Sequence, residues 1–319
     1  MGELAEWWLE TIARHQVKVS TLDSYRKFVG YLADDIGAMP VVGVGAERLT
    51  VWQSNLLDRY APFTVLNCRK VCRQAFTEAV KVGLIPANPF DLVKPPPVRR
   101  VSEGRALSPD DARRLITAAE GLRWGAALTL LFCQGWRVSE VLGLAWEDVD
   151  LDAATAQVRR GASYTPSVGV VLGTTKTSGA EGVHHLAPTS VRHLRSRLAE
   201  QQAERAEDWP IHTYGGSVIH PVFTKSDGQL VTRQAITKVV ERAAVRAGLD
   251  PLGLATHTGR RTVITVLYAD GGVDLADVAR HVGHSNTATT AGYVKSLGKR
   301  PESTAKRAAE LLDPSLTRT

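Results

Sequence analysis

Tyr293 stands nine positions after His284, near the end of "RHVGHSNTATTAGYV" (residues 280–294), a stretch rich in small and hydroxyl-bearing residues. A tyrosine there is either a packed core aromatic or, if distant parts of the chain supply charge and a base, a nucleophile. Three other places hold groups suited to such work. Arg137 lies beside Gly135 at a break in the otherwise apolar "WGAALTLLFCQGWRVSEVLGLA" (124–145), and Glu140, three residues on, can hold its guanidinium. Such a pair is usually a surface salt bridge, but charge inside an apolar segment needs a reason. His257 and Arg260, in "THTGRRT" (256–262), are one helical turn apart near a helix start, where anions are favoured. Read alone, that segment is simply basic. Lys176 ends a β-like run before "TSGAEG" and should project from a hairpin, as many solvated lysines do. His281 and His284 form an H-x-x-H pair, but no third ligand of suitable type is nearby, so no metal site is assigned.

The elements that would position these groups can be read from pattern. Ser108, Pro109 and the two aspartates Asp110 and Asp111 mark a helix start. The apolar helix from 124 breaks near Gly135 and resumes through Ser139. Between about 149 and 188, "AQVRR", "VGVVLGTTKT" and "VHHLAP" are short β-like runs separated by turns, which predicts a small antiparallel sheet. Helical patterns return in "TRQAITKVVERAAVRAGL" and "GVDLADVARHVGH". Before residue 92 everything reads as helix. Ser20 is the expected N-cap of a helix ending at Gly37, with Asp23 as its capping partner. In "TVLNCRKVCRQAFTEAVKVG", Cys68, Cys72, Ala75, Phe76, Ala79 and Val80 make a buried face, and Arg69, Lys70 and Arg73 fall on another. Those three are either a solvated surface or contacts along a phosphate backbone. "LVKPPPVRRVSEGRA" (92–106) interrupts the helices with three prolines and a basic cluster, and reads as a linker.

Composition narrows the classes. The 319 residues are enough for two domains with a core in each. A 44% hydrophobic and 23% charged content excludes general disorder, and a net charge of +6 favours a polyanionic partner. Cys68, Cys72 and Cys133 are too few and too poorly spaced for a disulfide framework, which fits a reducing cytoplasm. The acidic opening "MGELAEWWLE" is unlike a secretory signal, and no apolar run approaches the roughly 18 residues of a membrane span.

Taken together, the motifs "GWRVSEVLGL", "TKT", "HTGR", "GHSN" and "TTAGY", in this order, resemble the tyrosine recombinases of the phage integrase family. The resemblance covers about residues 106–300, and the helical region before it also looks like that family's core DNA-binding domain. It implies a mainly α (α+β) fold: a helical DNA-binding domain over 1–92, a linker over 93–106, a mixed catalytic domain with a small antiparallel sheet over 107–300, and a tail over 301–319. It implies that Tyr293 attacks a scissile phosphate of double-stranded DNA, leaving a 3′-phosphotyrosyl link and a free 5′-hydroxyl. Arg137 and Arg260 then neutralise the phosphate, with Glu140 behind Arg137. His257 serves as base, His284 as a hydrogen-bond donor to the phosphate and Lys176 as the acid for the 5′-oxygen; no cofactor is implied. Arg69, Lys70, Arg73 and Arg261 are the expected DNA contacts. The sequence departs from the family at Gly259 and Arg261, where leucine and a second histidine are frequent. In the tail, Ala305, Ala308, Ala309 and Leu312 share a face, either packing on their own domain or reaching a neighbouring protomer, and four protomers on two paired sites are implied, with accessory DNA-bending or directionality proteins as further partners. The expected activity is site-specific recombination for a mobile element. Cleavage and resealing of type IB topoisomerase kind, and DNA binding without catalysis, are the alternatives.

Overall fold

The computed structural model describes residues 1–98, 105–175, 182–270, 272–284, 286–288 and 290–291. The chain divides into two compact units, one formed by Met1–Val101 with Thr165–Gly169, the other by Ser102–Tyr164 with Val170–Thr319. Lys176 and Tyr293, residues 99–104 of the expected linker and the whole tail from 301 lie outside the described residues.

The first unit is helical. Helices α1 (Gly2–Trp8) and α2 (Arg14–Gln16) are joined by a π-helical turn, Leu9–Ala13, and α3 (Val19–Ile36), α4 (Ala46–Arg59) and α5 (Pro62–Lys81) follow. Their apolar faces enclose Leu32, Leu49, Trp52, Leu56 and Phe76, all buried. Phe90, on the short 3-10 turn Pro89–Leu92, closes this core by meeting Trp52 and Phe76 edge to face. The expected cap at Ser20 is corrected: α3 starts earlier, with extended Lys18 at its N-cap and no side-chain cap bond. Asp23 instead lies 3.5 Å from Arg26.

In the second unit Ser108 does cap α6 (Pro109–Ala118), its hydroxyl accepting from the Asp111 amide. Helix α7 (Gly125–Thr129) runs into a π-helical turn, Leu130–Gln134, which Gly135 ends at φ 68°, and α8 (Val138–Leu142) resumes. Strands β1 (Val149–Asp150), β2 (Thr155–Gln157), β3 (Gly161–Thr165), β4 (Gly169–Gly173) and β5 (Val183–His185) come next. The expected sheet is antiparallel in the order β1-β2-β5, with Ala156 opposite both Val149 and His184, while β3 and β4 pair separately. Helix α9 (Pro188–Glu204) leads to a hairpin that pattern reading does not find, β6 (His212–Tyr214) and β7 (Ser217–Ile219). Its strands are too short to show alternation, and its signal is the pair Gly215 and Gly216, both at positive φ in the turn. Helices α10 (Arg233–Arg246), α11 (Thr256–Thr265) and α12 (Leu275–His281) follow. No helix among the described residues is long and apolar enough to cross a membrane.

Candidate active site

Gly135 turns the chain out of the π-helical turn, and its backbone does two jobs. Its positive φ suits glycine, and a Cβ there would meet Val263 and Val282 side chains at 3.2 Å. Its carbonyl accepts from Arg260 Nη1 at 3.0 Å. Two residues on, extended Arg137 is the N-cap of α8. Glu140, only 3% exposed at its side chain, takes the Arg137 amide on one oxygen (2.8 Å) and Nη1 on the other (2.7 Å). The same carboxylate thus fixes both ends of the arginine. Nη2 of Arg137 reaches the Gly283 carbonyl at 3.4 Å.

Helix α11 brings the second group. Thr258 accepts the Ala255 amide at 3.0 Å, which sets the helix start and places His257 in its first turn. Gly259 packs on the π-helical turn so closely that a Cβ would lie 2.5 Å from the Leu131 carbonyl oxygen. That approach explains glycine in place of the leucine frequent in the resembling family. Arg260 is buried, and besides Gly135 it touches His284, Nε to Nε2 at 3.3 Å. Arg261 is half-buried.

His284 follows α12, its amide accepted by the Ala279 carbonyl at 2.8 Å past the positive-φ Gly283. Its Nδ1 lies 2.7 Å from Thr290 Oγ1. With Nε2 accepting from Arg260, these contacts assign the hydrogen to Nδ1. Burial, and then the charges of Arg260 and Arg137, push this imidazole down to about 4. His257 keeps part of its ring open to solvent, yet the protein crowding it, and then the cations Arg233, Arg260, Arg137 and Arg261, also lower its pKa. Both histidines are neutral at pH 7, the state in which an imidazole can accept a proton.

Of the expected site residues, Arg137 pairs with Glu140 and Arg260 with His284, the Gly283 carbonyl ties Arg137 to the residue before His284, the Gly135 carbonyl ties Arg260 to the loop before Arg137, and His257 shares the field of both arginines. Lys176 and Tyr293 lie outside the described residues. Among the expected DNA contacts, Arg69 is corrected. It is 9% exposed, and its Nη2 donates to the Phe90 and Val93 carbonyls at 2.6 and 2.5 Å, closing the end of the helical unit. Its long side chain reaches inward past the apolar face, where spacing alone sets it aside. Arg73 is exposed but paired with Asp91 at 2.6 Å, and Lys70 is exposed. Sequence reading misses the Gly135 and Gly283 carbonyls, Thr290 and Arg233. The glycines carry a signal, an interrupted helical pattern, but Thr290 is one hydroxyl in a run of them.

Residues 105–300 match the model of the phage integrase family. The chain is 28% identical over 303 residues to the tyrosine recombinase XerD of Xanthomonas axonopodis pv. citri, covering 91% of this chain and 90% of that one. It is 26% identical to the tyrosine recombinase XerC of Xanthomonas campestris pv. campestris, covering 87% of this chain and 79% of that protein. Its fold is similar to that of the Tn1549 transposon integrase, solved in complex with a circular intermediate DNA (TM-score 0.77, 18% identity, 98% of each chain). It is also similar to a lambda integrase dimer bound to a COC′ core site (TM-score 0.64, 14% identity, 94% of this chain and 97% of that one).

Proposed function

The chain belongs to the phage integrase family, and from that premise we propose that it is a site-specific DNA recombinase that cuts and rejoins strands through Tyr293. The observation that carries this reading is the cluster itself. Two arginines from different segments are each pinned by a backbone carbonyl, Arg260 touches the neutral His284, and the charge of both arginines reaches His284 and His257. Cations held in place before the reaction stabilise charge as it develops on a phosphate, without reorganisation at the moment of reaction.

The steps follow from the groups. His257, neutral, takes the phenolic proton of Tyr293, whose ordinary pKa near 10 makes it a poor nucleophile at neutral pH. The phenolate oxygen bonds to phosphorus as the bond to the 5′-oxygen breaks, and Lys176 gives that oxygen a proton. The bond energy is kept in the 3′-phosphotyrosyl link, so a 5′-hydroxyl from a second strand can reverse the step without ATP. Arg137 and Arg260 hold the nonbridging oxygens in two-pronged fashion. For His284 to donate to the phosphate, its hydrogen must sit on Nε2. Thr290 allows this, because a hydroxyl donates to Nδ1 as readily as it accepts. Arg260 Nε then turns from His284 to the phosphate.

Strand exchange between two sites calls for four protomers on paired duplexes, and the tail from 301 is the segment we assign to reach a neighbour. Lys70 and Arg261 are the remaining candidates for DNA contacts that hold the duplex in register, with Arg73 available if it leaves Asp91. Accessory DNA-bending or directionality proteins complete the partner set, and a chain acting on cellular DNA works in the cytoplasm.

Covalent capture tests the reading. Cells expressing the chain are lysed in denaturant, and DNA that stays attached is sequenced, for wild type and Tyr293→Phe. Adducts at one or a few loci, lost in the variant, are expected. Equal background from both, with folded protein bound to DNA, would overturn catalysis in favour of DNA binding alone.

A further inference from the structure

Gln134 ends the π-helical turn, and residues 135–137 lie between it and α8, outside both helical ladders. Each of the four has its own tie. Gln134, 4% exposed, has its amide oriented to donate to the His185 carbonyl (3.2 Å) and to accept from the Ala187 amide (3.0 Å). Gly135 gives its carbonyl to Arg260, and Arg137 is held by Glu140 and Gly283. Trp136, 2% exposed, meets the His184 ring edge to face, with centroids 5.3 Å apart and planes at 76°. Two ties therefore run into the arginine cluster, and two run out to β5 and the chain entering α9.

The choice of tryptophan is informative. Its Nε1 is buried with no hydrogen-bond partner among the described residues, an unfavourable state that an aliphatic side chain filling the same space would avoid. What the indole adds is a rigid ring that reaches the imidazole of the strand. We propose that Trp136, together with Gln134, is a positioning residue for the two arginines: it anchors the 134–137 loop on β5, so that the Gly135 carbonyl and the Arg137 guanidinium keep their places relative to Arg260. This rests on the reading of those arginines as the groups that neutralise the scissile phosphate.

The test compares single-turnover cleavage of two duplexes carrying the sequence recovered by covalent capture. One has the ordinary scissile phosphate. The other has a methylphosphonate there, in which a methyl group replaces a nonbridging oxygen and removes the charge that the arginines neutralise. Trp136→Leu is expected to cleave the ordinary duplex about 10- to 100-fold more slowly than wild type, the scale of a displacement near 1 Å at a reacting centre. Its DNA affinity should stay close to wild type, and its melting temperature should fall as a large-to-small core substitution requires, with the protein still folded at the assay temperature. On the methylphosphonate the deficit should shrink to less than about threefold, because misplaced charge no longer matters. Trp136→Phe, which keeps an aromatic edge toward His184, should recover most of the rate. An equal loss on both duplexes, including one caused by misfolding, or no loss on either, overturns the proposal. Arg137→Ala serves as reference. If the methylphosphonate restores Arg137→Ala but not Trp136→Leu, the positioning role alone fails. If it restores neither, the reading of the arginines fails and this inference with it.

Discussion

At the scale of single residues, the site depends on one buried carboxylate and two neutral imidazoles. Glu140 satisfies both the amide and the guanidinium of Arg137, so its removal strands a cation and a donor together. Arg137 is 18% exposed at its side chain, which lets water soften the loss. Glu140→Ala should therefore destabilise by about 1–3 kcal/mol, below the full cost of breaking a buried pair. Glu140→Gln, which still accepts the amide, should recover part of that stability in a denaturant titration but not the cleavage rate, since the arginine loses its charged anchor. Equal cleavage by Gln and wild type would mean that the charge of Glu140 is irrelevant. His257 yields a second test. Its lowered pKa keeps it a free base through neutral pH, so the cleavage rate should be flat above pH 6.5 and fall only at a lower pH, as the imidazole protonates. Arg233 is first among the cations that lower it. Arg233→Gln should move the acid limb of the pH–rate profile upward, and a limb that stays in place would remove Arg233 from the account.

At the scale of elements, close packing decides which substitutions the site tolerates. Gly259 lets α11 settle on the π-helical turn 130–134, and the Leu131 backbone cannot yield to a methyl group as a flexible side chain could. Gly259→Ala should destabilise by about 1–3 kcal/mol despite alanine's better helix propensity. It should also slow cleavage, because Arg260 rides on the displaced helix. A variant as stable and active as wild type would disprove the contact. In the helical unit, Arg69 and Lys70 separate two kinds of basic residue. Arg69→Met should cost stability and leave the salt dependence of DNA binding unchanged, since its guanidinium is committed to the Phe90 and Val93 carbonyls. Lys70→Ala should do the reverse, lowering the slope of log K against log salt by about 1 if it meets a phosphate. The same contrast shows what the sequence makes legible. Ser108 announces its helix because capping is a local interaction, and "GWRVSE" announces a loop because glycine and charge interrupt an apolar pattern. Arg69 does not, because its partners are carbonyls 21 and 24 residues away that no spacing rule connects to it. The β6–β7 hairpin and Thr290 are hidden for related reasons, one being too short for periodicity and the other one hydroxyl among several. The arginines of the cluster are legible in the motifs "GWRVSE" and "HTGR", while the carbonyls that aim them are not, since every residue has one.

At the scale of the whole chain, the two units differ in how they carry ionisable groups. His193, His257, His281 and His284, all with lowered pKa values for which burial is the leading cause, lie in the second unit. The first unit contains one histidine, His15. Below pH 6.5 the unfolded chain protonates its imidazoles, while the folded unit holds these four neutral until a lower pH. The unfolded state then binds more protons, so stability rises with pH across the window and levels off above 6.5. For His284 the window runs from 6.5 down to about 4. Carboxylates with lowered pKa, such as Glu147 and Asp111 in the second unit and Glu10 in the first, add losses only nearer pH 4.5 and below. Between pH 7.5 and pH 5 the second unit should therefore lose stability while the first loses little. Hydrogen exchange read by mass spectrometry should show faster opening in α11 and the start of α12 at pH 5, after correction for intrinsic exchange, with α3 and α5 nearly unchanged. Equal acceleration in both units would show that the imidazoles do not set acid stability. Replacing His284 by Gln should flatten the response of the second unit, since Gln carries no proton across this range. On the proposed mechanism His257, whose lowered pKa suits it to take a proton from a phenol, is thus also one of the groups expected to make its unit the more sensitive to acid.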